Sequence, residues 1–327
     1  MIIGKLSDDR IASGSQIAAI MGENPWESPN DVLRRACEAI KLDVAHLPSV
    51  DIGEKGLWGS LDENTTAIET AKRLKLKVNT EITEVVAHPS LPLQCSNDAE
   101  LEGDGSAIEH NPDAGIYTFD EKPVLADGVG VLEVKNMEGA YQDWSPSHKG
   151  DLQVEAQKMC LGAKWGAVAI RFNGNHLRIY VSPIREYLVS AITNAVIDFD
   201  KRLNVFKADG VIDWFEAQSD KDANQTYAKT DDDKTPIQLT KEIAERVLDL
   251  DETKACIAQL KKNVELLQKE IKDFMGCHEN AVGEFENQLV QVKWGMTKGR
   301  EAKFVEALEP KRSSALKVKI ESTNPLE

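Results

Sequence analysis

From Leu132 to Lys135 apolar and charged residues alternate strictly, so that Leu132 and Val134 point one way and Glu133 and Lys135 the other, as the two-residue period of a half-buried strand requires. Upstream, the same period through Cys95-Ser96-Asn97-Asp98 puts Gln94, Ser96 and Asp98 on one face. If the two strands are neighbours, two carboxylates and one ammonium converge. Helical spacing takes over elsewhere. Residues 57–74 carry Leu61, Ala67, Ile68, Ala71 and Leu74 at apolar positions, with Glu63 in the first half. Ser28-Pro29 opens another helix, and Ser13 or Ser15 is placed to cap residues 16–21. In residues 151–163, Leu152, Ala156, Met159 and Ala163 form one stripe, while Gln153 and Gln157 sit four apart on another face. Residues 76–88, rich in Val, Ile and Thr, predict a pair of strands. Residues 167–172 and 177–181 flank Asn173-Gly174-Asn175, a hairpin turn that is expected to end the sheet. A helix follows over residues 187–206, and the glycine- and proline-bearing residues 99–130 read as an extended or decorated loop.

The pattern changes after residue 217. Residues 218–238 are polar and acidic, including Asp231-Asp232-Asp233, and predict a linker. Beyond it, Ile257, Leu260, Val264, Leu267, Ile271 and Phe274 step by three and four, with Ile243, Val247 and Leu250 in a matching earlier segment. Two short segments predict a helical hairpin, and residues 287–294 and 315–320 predict short terminal strands.

Composition narrows the class. A chain of 327 residues that is 41% hydrophobic can build a sizeable core, which excludes general disorder. No apolar run reaches membrane-span length and Met1-Ile2-Ile3-Gly4-Lys5 has no long apolar stretch, so a cytoplasmic protein is expected. The five cysteines are scattered without a Cys-x-x-Cys pair, against both a disulfide framework and a zinc site. The net charge of −16 is unfavourable for nucleic-acid binding, because affinity for phosphates comes from basic residues. A local groove of positive charge, with a cation at its centre, meets that objection.

Two carboxylates and a lysine on one face suit a hard cation. Mg²⁺ takes oxygen ligands, commonly one or two carboxylates plus substrate phosphate, and a lysine beside it can stabilise a bound hydroxide or the charge on a phosphoryl group under attack. The same Glu-x-Lys is also the pattern of a solvated strand face with a weak ion pair. Ser15 at a helix start, with Arg10 nearby, is either an anion site or only a cap.

These residues occur in the order of a known family. Ala12-Ser13-Gly14-Ser15-Gln16-Ile17-Ala18-Ala19-Ile20-Met21-Gly22 with Pro25-Trp26, Trp58-Gly59-Ser60-Leu61-Asp62-Glu63-Asn64, Cys95-Ser96-Asn97-Asp98, Leu132-Glu133-Val134-Lys135 and Leu152-Gln153-Val154-Glu155 together resemble the lambda exonuclease and YqaJ-like viral recombinase branch of the restriction-endonuclease-like nucleases. The resemblance covers about residues 8–185, with Asn97 standing where the family commonly has proline and Glu155 where it has a second glutamine. It implies an α/β fold, a restriction-endonuclease-like core with a mixed central sheet flanked by helices, over residues 1–217, followed by the linker and a helical, coiled-coil-like module with short strands over residues 239–327. It further implies a Mg²⁺-dependent 5′-to-3′ exonuclease, with Mn²⁺ able to substitute, acting on linear double-stranded DNA ends to leave 3′ overhangs for phage-type recombination. Asp98, Glu133 and the Val134 carbonyl would bind metal with Glu63 assisting, Lys135 would activate water, and Gln153 would orient the lysine or phosphate, with Gln157 in its place if the register differs. Arg10, Ser15 and Ser96 would contact the 5′ phosphate and DNA. A homo-oligomer, a trimer by resemblance, and a single-strand annealing protein as partner are also implied. The alternatives are an endonuclease of the same superfamily and a noncatalytic protein that binds DNA ends or a partner.

Overall fold

The structure is a computed structural model and describes residues 7–48, 53–82, 84–228, 237–286, 288–295 and 317–322. The chain divides into two compact units, Met1–Thr230 and Asp231–Glu327.

In the first unit β1 (Ala12–Ser13) leads through a 3-10 turn, Gly14–Gln16, into the four-residue α1 (Ile17–Ile20). The α2 helix (Pro29–Leu42) starts where Ser28 accepts the Asp31 N–H, with Pro29 in its first turn, and α3 (Gly53–Leu74) follows. Short strands come next: β2 (Lys77–Asn79), β3 (Val86–Ala87), β4 (Leu93–Cys95), β5 (Ala99–Glu102), β6 (Ala107–Ile108), β7 (Ile116–Thr118) and β8 (Val124–Leu125). The nine-residue β9 (Val129–Met137) precedes α4 (Asp151–Leu161), β10 (Trp165–Phe172), β11 (His176–Pro183), α5 (Glu186–Asp209) and α6 (Asp220–Thr226).

The central sheet is mixed, in the order β2-β5-β9-β10-β11-β7, with β9 parallel to β10 and β11 parallel to β7. Alternation along β9 sends its side chains into two cores. Leu132 and Val134 join Ala67, Ala71 and Leu74 of α3, whereas Val131 joins Val154 of α4 and Val168 and Ile170 of β10. A third core gathers α1, α2, α4 and α5 around Ile17, Leu33, Ala156 and Phe199. Gly150 makes the close approach of α4 possible: its φ is 110°, and a Cβ there would lie 2.7 Å from Val168.

Several expectations are corrected. Residues 76–88 do not pair with each other, because β2 lies against β5 in the central sheet and β3 against β4 in a small sheet with β1. β4 ends at Cys95, so Gln94 does not share a strand face with Asp98; its amide instead donates to the Asp8 carbonyl at 2.7 Å. The hairpin of β10 and β11 does not end the sheet, since β7, from the stretch read as a loop, adds a further edge strand. Leu61 and Ile68 are exposed, and the buried stripe of α3 is instead Thr66, Ala67, Thr70, Ala71 and Leu74. The expected linker starts too early, because α6 belongs to the first unit and Asp222 accepts a hydrogen bond from Asn30 of α2; Asp231, Asp232 and Asp233 lie outside the described residues.

In the second unit α7 (Lys241–Met275) is one 35-residue helix and not a hairpin. No Gly or Pro occurs between Lys241 and Met275 to break it. It is followed by β12 (Asn280–Phe285), β13 (Gln288–Lys293) and β14 (Lys317–Ser322), an antiparallel sheet in that order. The first of these strands was not expected.

Charges are buried where α4 meets the start of α5. Arg185 donates to Glu155 through its N–H at 2.8 Å and its Nε at 2.9 Å, and to Asp151 at 2.9 Å; Lys158, fully buried, reaches Glu155 at 2.9 Å and the Pro183 carbonyl at 2.6 Å. Breaking a buried pair from one side strands the partner charge, at about 3–5 kcal/mol. Arg185→Met should therefore lower the unfolding free energy from urea denaturation by about 3 kcal/mol or more. A loss below about 1 kcal/mol would show that the carboxylates find other partners.

Candidate active site

The end of one ladder builds the site. Pairing between β5 and β9 stops at Ala99↔Leu132, so past that point β9 has no strand beside it on the β5 side among the described residues. The Val134 N–H that would have bonded to β5 donates instead to Oδ2 of Asp98, at 2.7 Å. A strand residue sends its N–H and C=O to the same edge, which places the Val134 carbonyl on the Asp98 side as well. Glu63 reaches the same place from α3. It lies three and four residues before Thr66 and Ala67, so it lies on the buried stripe of that helix, near enough to Asp98 and Glu133 for the carboxyls to perturb one another.

Glu133 is almost wholly buried and pairs with Lys135. Its other oxygen, Oε2, accepts from Gln157 Nε2 at 2.7 Å, and the same Nε2 donates to the Ser96 carbonyl at 3.0 Å. Gln157 thus ties α4 to both the Asp98 loop and β9. Gln153 stands one turn earlier on α4 and is half-buried; among the described residues the glutamine on Glu133 is Gln157. The alternative position, one helical turn after Gln153, is thus the one placed against Glu133. Glu155, in turn, points to Arg185 and not to this cluster.

Three carboxylates crowd around one ammonium. Burial, followed by the charges of Glu133 and Glu63, holds the Asp98 carboxyl well above the usual carboxylate range, against the opposing effects of Lys135 and the Val134 N–H. Burial and Glu133 also raise Glu63, which Lys135 and the neighbouring Asp98 carboxyl offset in part. For Lys135, burial disfavours the ammonium, but Glu133 and Asp98 outweigh it and the pKa lies above the ordinary value. Among the described residues no three His, Cys, Asp or Glu side chains form a ready-made cation cage; Glu133 is drawn to Lys135 and Gln157, and Asp98 to Val134. The donor set nevertheless fits a hard divalent cation: its side chains are oxygen donors, its negative charge exceeds the single ammonium, and Gln157 Oε1 is buried beside Glu133 without a hydrogen-bond partner.

The residues expected at the 5′ phosphate are placed unevenly. Ser15 is exposed, with its Oγ 3.2 Å from that of Ser13. The preceding Gly14 packs against Cys95, whose neighbour is Ser96, and a Cβ on Gly14 would lie 3.3 Å from the Cys95 Cβ. Arg10 is committed elsewhere: its guanidinium bonds Asp8 at 2.7 Å and Asp43 at 3.3 Å, which leaves its charge neutralised. Sequence reasoning also missed an open cleft beyond Lys135, lined by Trp26, Trp58, Asn136, His148, Lys149 and Arg171. Lys149 lies 4.3 Å over the Trp26 ring, and burial together with the charge of Lys135 lowers its pKa. The sequence signals were the Pro25-Trp26 pair and Trp58, neither of which carried a role of its own.

The family model of the YqaJ-like viral recombinase domain matches residues 6–156. That stretch is similar to a YqaJ-like domain. It contains Glu63, Asp98, Glu133, Lys135 and Gln153 and ends one residue before Gln157. Among solved structures, the alkaline exonuclease LHK-Exo from Laribacter hongkongensis is 12% identical, with 60% of this chain and 89% of that one covered and a TM-score of 0.40. A phage-related exonuclease from Haemophilus somnus 129PT is 9% identical, with 62% and 96% covered and a TM-score of 0.38. No curated protein matches the chain. No helix among the described residues is long and apolar enough to cross a membrane.

The crowding has a consequence for stability. Asp98 and Glu63 have folded pKa values above their ordinary ones, so the native state binds more protons than the unfolded chain between the two values. Their contribution is fully present below the ordinary carboxylate range and is lost as pH rises through the raised values. In chelator-treated protein the melting temperature should fall across that window, and Asp98→Asn should flatten the fall. An unchanged slope in the variant would show that the carboxylates are not crowded.

Proposed function

We propose that the protein is a Mg²⁺-dependent DNA exonuclease that digests one strand of linear duplex from its 5′ end. The observation that carries this reading is the convergence of Glu63, Asp98, Glu133, Lys135 and Gln157 at the open end of the β5–β9 ladder. Asp98, Glu133 and the Val134 carbonyl would hold the cation, with Glu63 assisting. A bound Mg²⁺ would supply Lewis-acid stabilisation of the scissile phosphate and a more acidic water. The chain's own groups do the rest. Gln157 fixes the Glu133 carboxylate, and the Lys135 ammonium, held charged by its acidic neighbours, positions the attacking water and faces the charge that grows on the phosphoryl oxygens. Ser15 and Ser96 would receive the 5′ phosphate, and Lys149 and Trp26 would line the path of the DNA. The cleft does not itself offset the net charge of −16: Lys149 and Arg171 are matched there by Glu54, Asp62 and Glu138, so the cation would supply the positive charge at the phosphate.

The test is digestion of a linear duplex labelled at one 5′ end, 5′-phosphorylated or 5′-hydroxyl, beside its circular counterpart, with Mg²⁺ or EDTA. The linear phosphorylated duplex should be consumed only with Mg²⁺, the circle should persist, and Lys135→Ala should slow digestion by about a hundredfold or more. Ser15→Ala should reduce the preference for the phosphorylated end. Equal cutting of the circle would make the protein an endonuclease. A wild type as inert as Lys135→Ala, yet still bound to DNA, would make it a binding protein.

A further inference from the structure

Helix α7 carries an apolar seam that the fold of its own unit leaves open. Ile243, Leu250, Ile257, Val264 and Ile271 recur every seven residues over the whole helix. Leu260, Leu267 and Phe274 follow the last three of them by three residues and supply the second row. None of these side chains is buried: Ile257 is 46% exposed, Val264 52% and Phe274 86%, and Met275 is the one buried residue of the helix. A strict seven-residue apolar repeat drifts around a straight helix unless a partner supercoils with it, and both rows are apolar over the three repeats from Ile257 to Phe274, the length at which a coiled coil is marked, while Arg246 and Thr253 occupy the second row of the two repeats before them.

The residue types and charges select the partner. β-Branched Ile257 and Val264 in the first row with Leu260 and Leu267 in the second favour two strands. In a parallel, in-register pair Asp249 of one helix faces Lys254 of the other on both flanks, and the remaining flanking pairs place a charge only against an uncharged residue. In an antiparallel pair centred on Ile257 and Leu260, Asp249 would face Glu270 and Lys254 would face Lys261, which repel. We infer that α7 forms a parallel, two-stranded coiled coil with α7 of a second copy of this chain. Asp249 and Lys254 set its direction, and the Ile257–Phe274 seam supplies its attraction.

Two measurements on the full-length chain test this. By size exclusion with light scattering under reducing conditions, wild type should have twice the mass of a Leu260→Asp, Leu267→Asp variant, whose changes fall on exposed positions and spare the core. For direction, Val264→Cys in a Cys256→Ser, Cys277→Ser background should give a covalent dimer on mild oxidation, while Lys262→Cys, on the outer face, should not. Equal masses, a threefold ratio, or cross-linking of Lys262→Cys as readily as Val264→Cys would overturn the inference.

Discussion

One hydrogen bond fixes the geometry on which the rest depends, the 2.7 Å bond from the Val134 N–H to Asp98. A sheet strand cannot leave a half-buried N–H unpaired without cost, and β5 begins two residues too late to serve Val134. Asp98 serves it with a side chain, which turns the carboxyl into the fold and toward Glu133. Sheet termination and site assembly are thus the same event. The α3 helix, packed through Ala67 and Ala71 on the far face of β9, delivers Glu63 to that point, and α4 delivers Gln157 from the near face.

The arrangement is strained electrostatically and well supported mechanically. The acids that crowd Lys135 keep it charged, while two of them, Asp98 and Glu63, are held above their ordinary pKa values. Such a cluster favours any added positive charge, whether a proton or a divalent ion. Beneath it, the buried Arg185–Glu155–Lys158 network clamps α4 to the end of β11 and the start of α5. Because Gln157 stands between Glu155 and Lys158 on the same helix, that clamp also fixes the turn from which the amide reaches Glu133.

Much of this was legible in the sequence, and the failures have physical causes. Alternation from Leu132 to Lys135 gave the strand and its faces, because a period of two is unambiguous where one face is buried. Serine followed by proline gave the start of α2 correctly. Periodicity could not show that β4 and β5 belong to different sheets, since Cys95-Ser96-Asn97-Asp98 reads as one strand until the chain bends between them. Nor could it choose between Gln153 and Gln157, which share a helix face and differ by a single turn. The short strands of residues 99–130 were hidden because two- and three-residue strands carry almost no pattern. In α7 the two apolar segments read as separate because Arg246 and Thr253 interrupt the second row, although the seven-residue spacing from Ile243 to Ile271 joins them.

The most direct test of the charge balance at the ladder's end is binding of Mn²⁺ by titration calorimetry to wild type, Asp98→Asn and Gln153→Ala, in the absence of DNA. Binding to wild type and Gln153→Ala with strong weakening in Asp98→Asn is the predicted result. Undiminished binding in Asp98→Asn would contradict the assignment of a cation to the place where Asp98, Glu133 and Val134 meet.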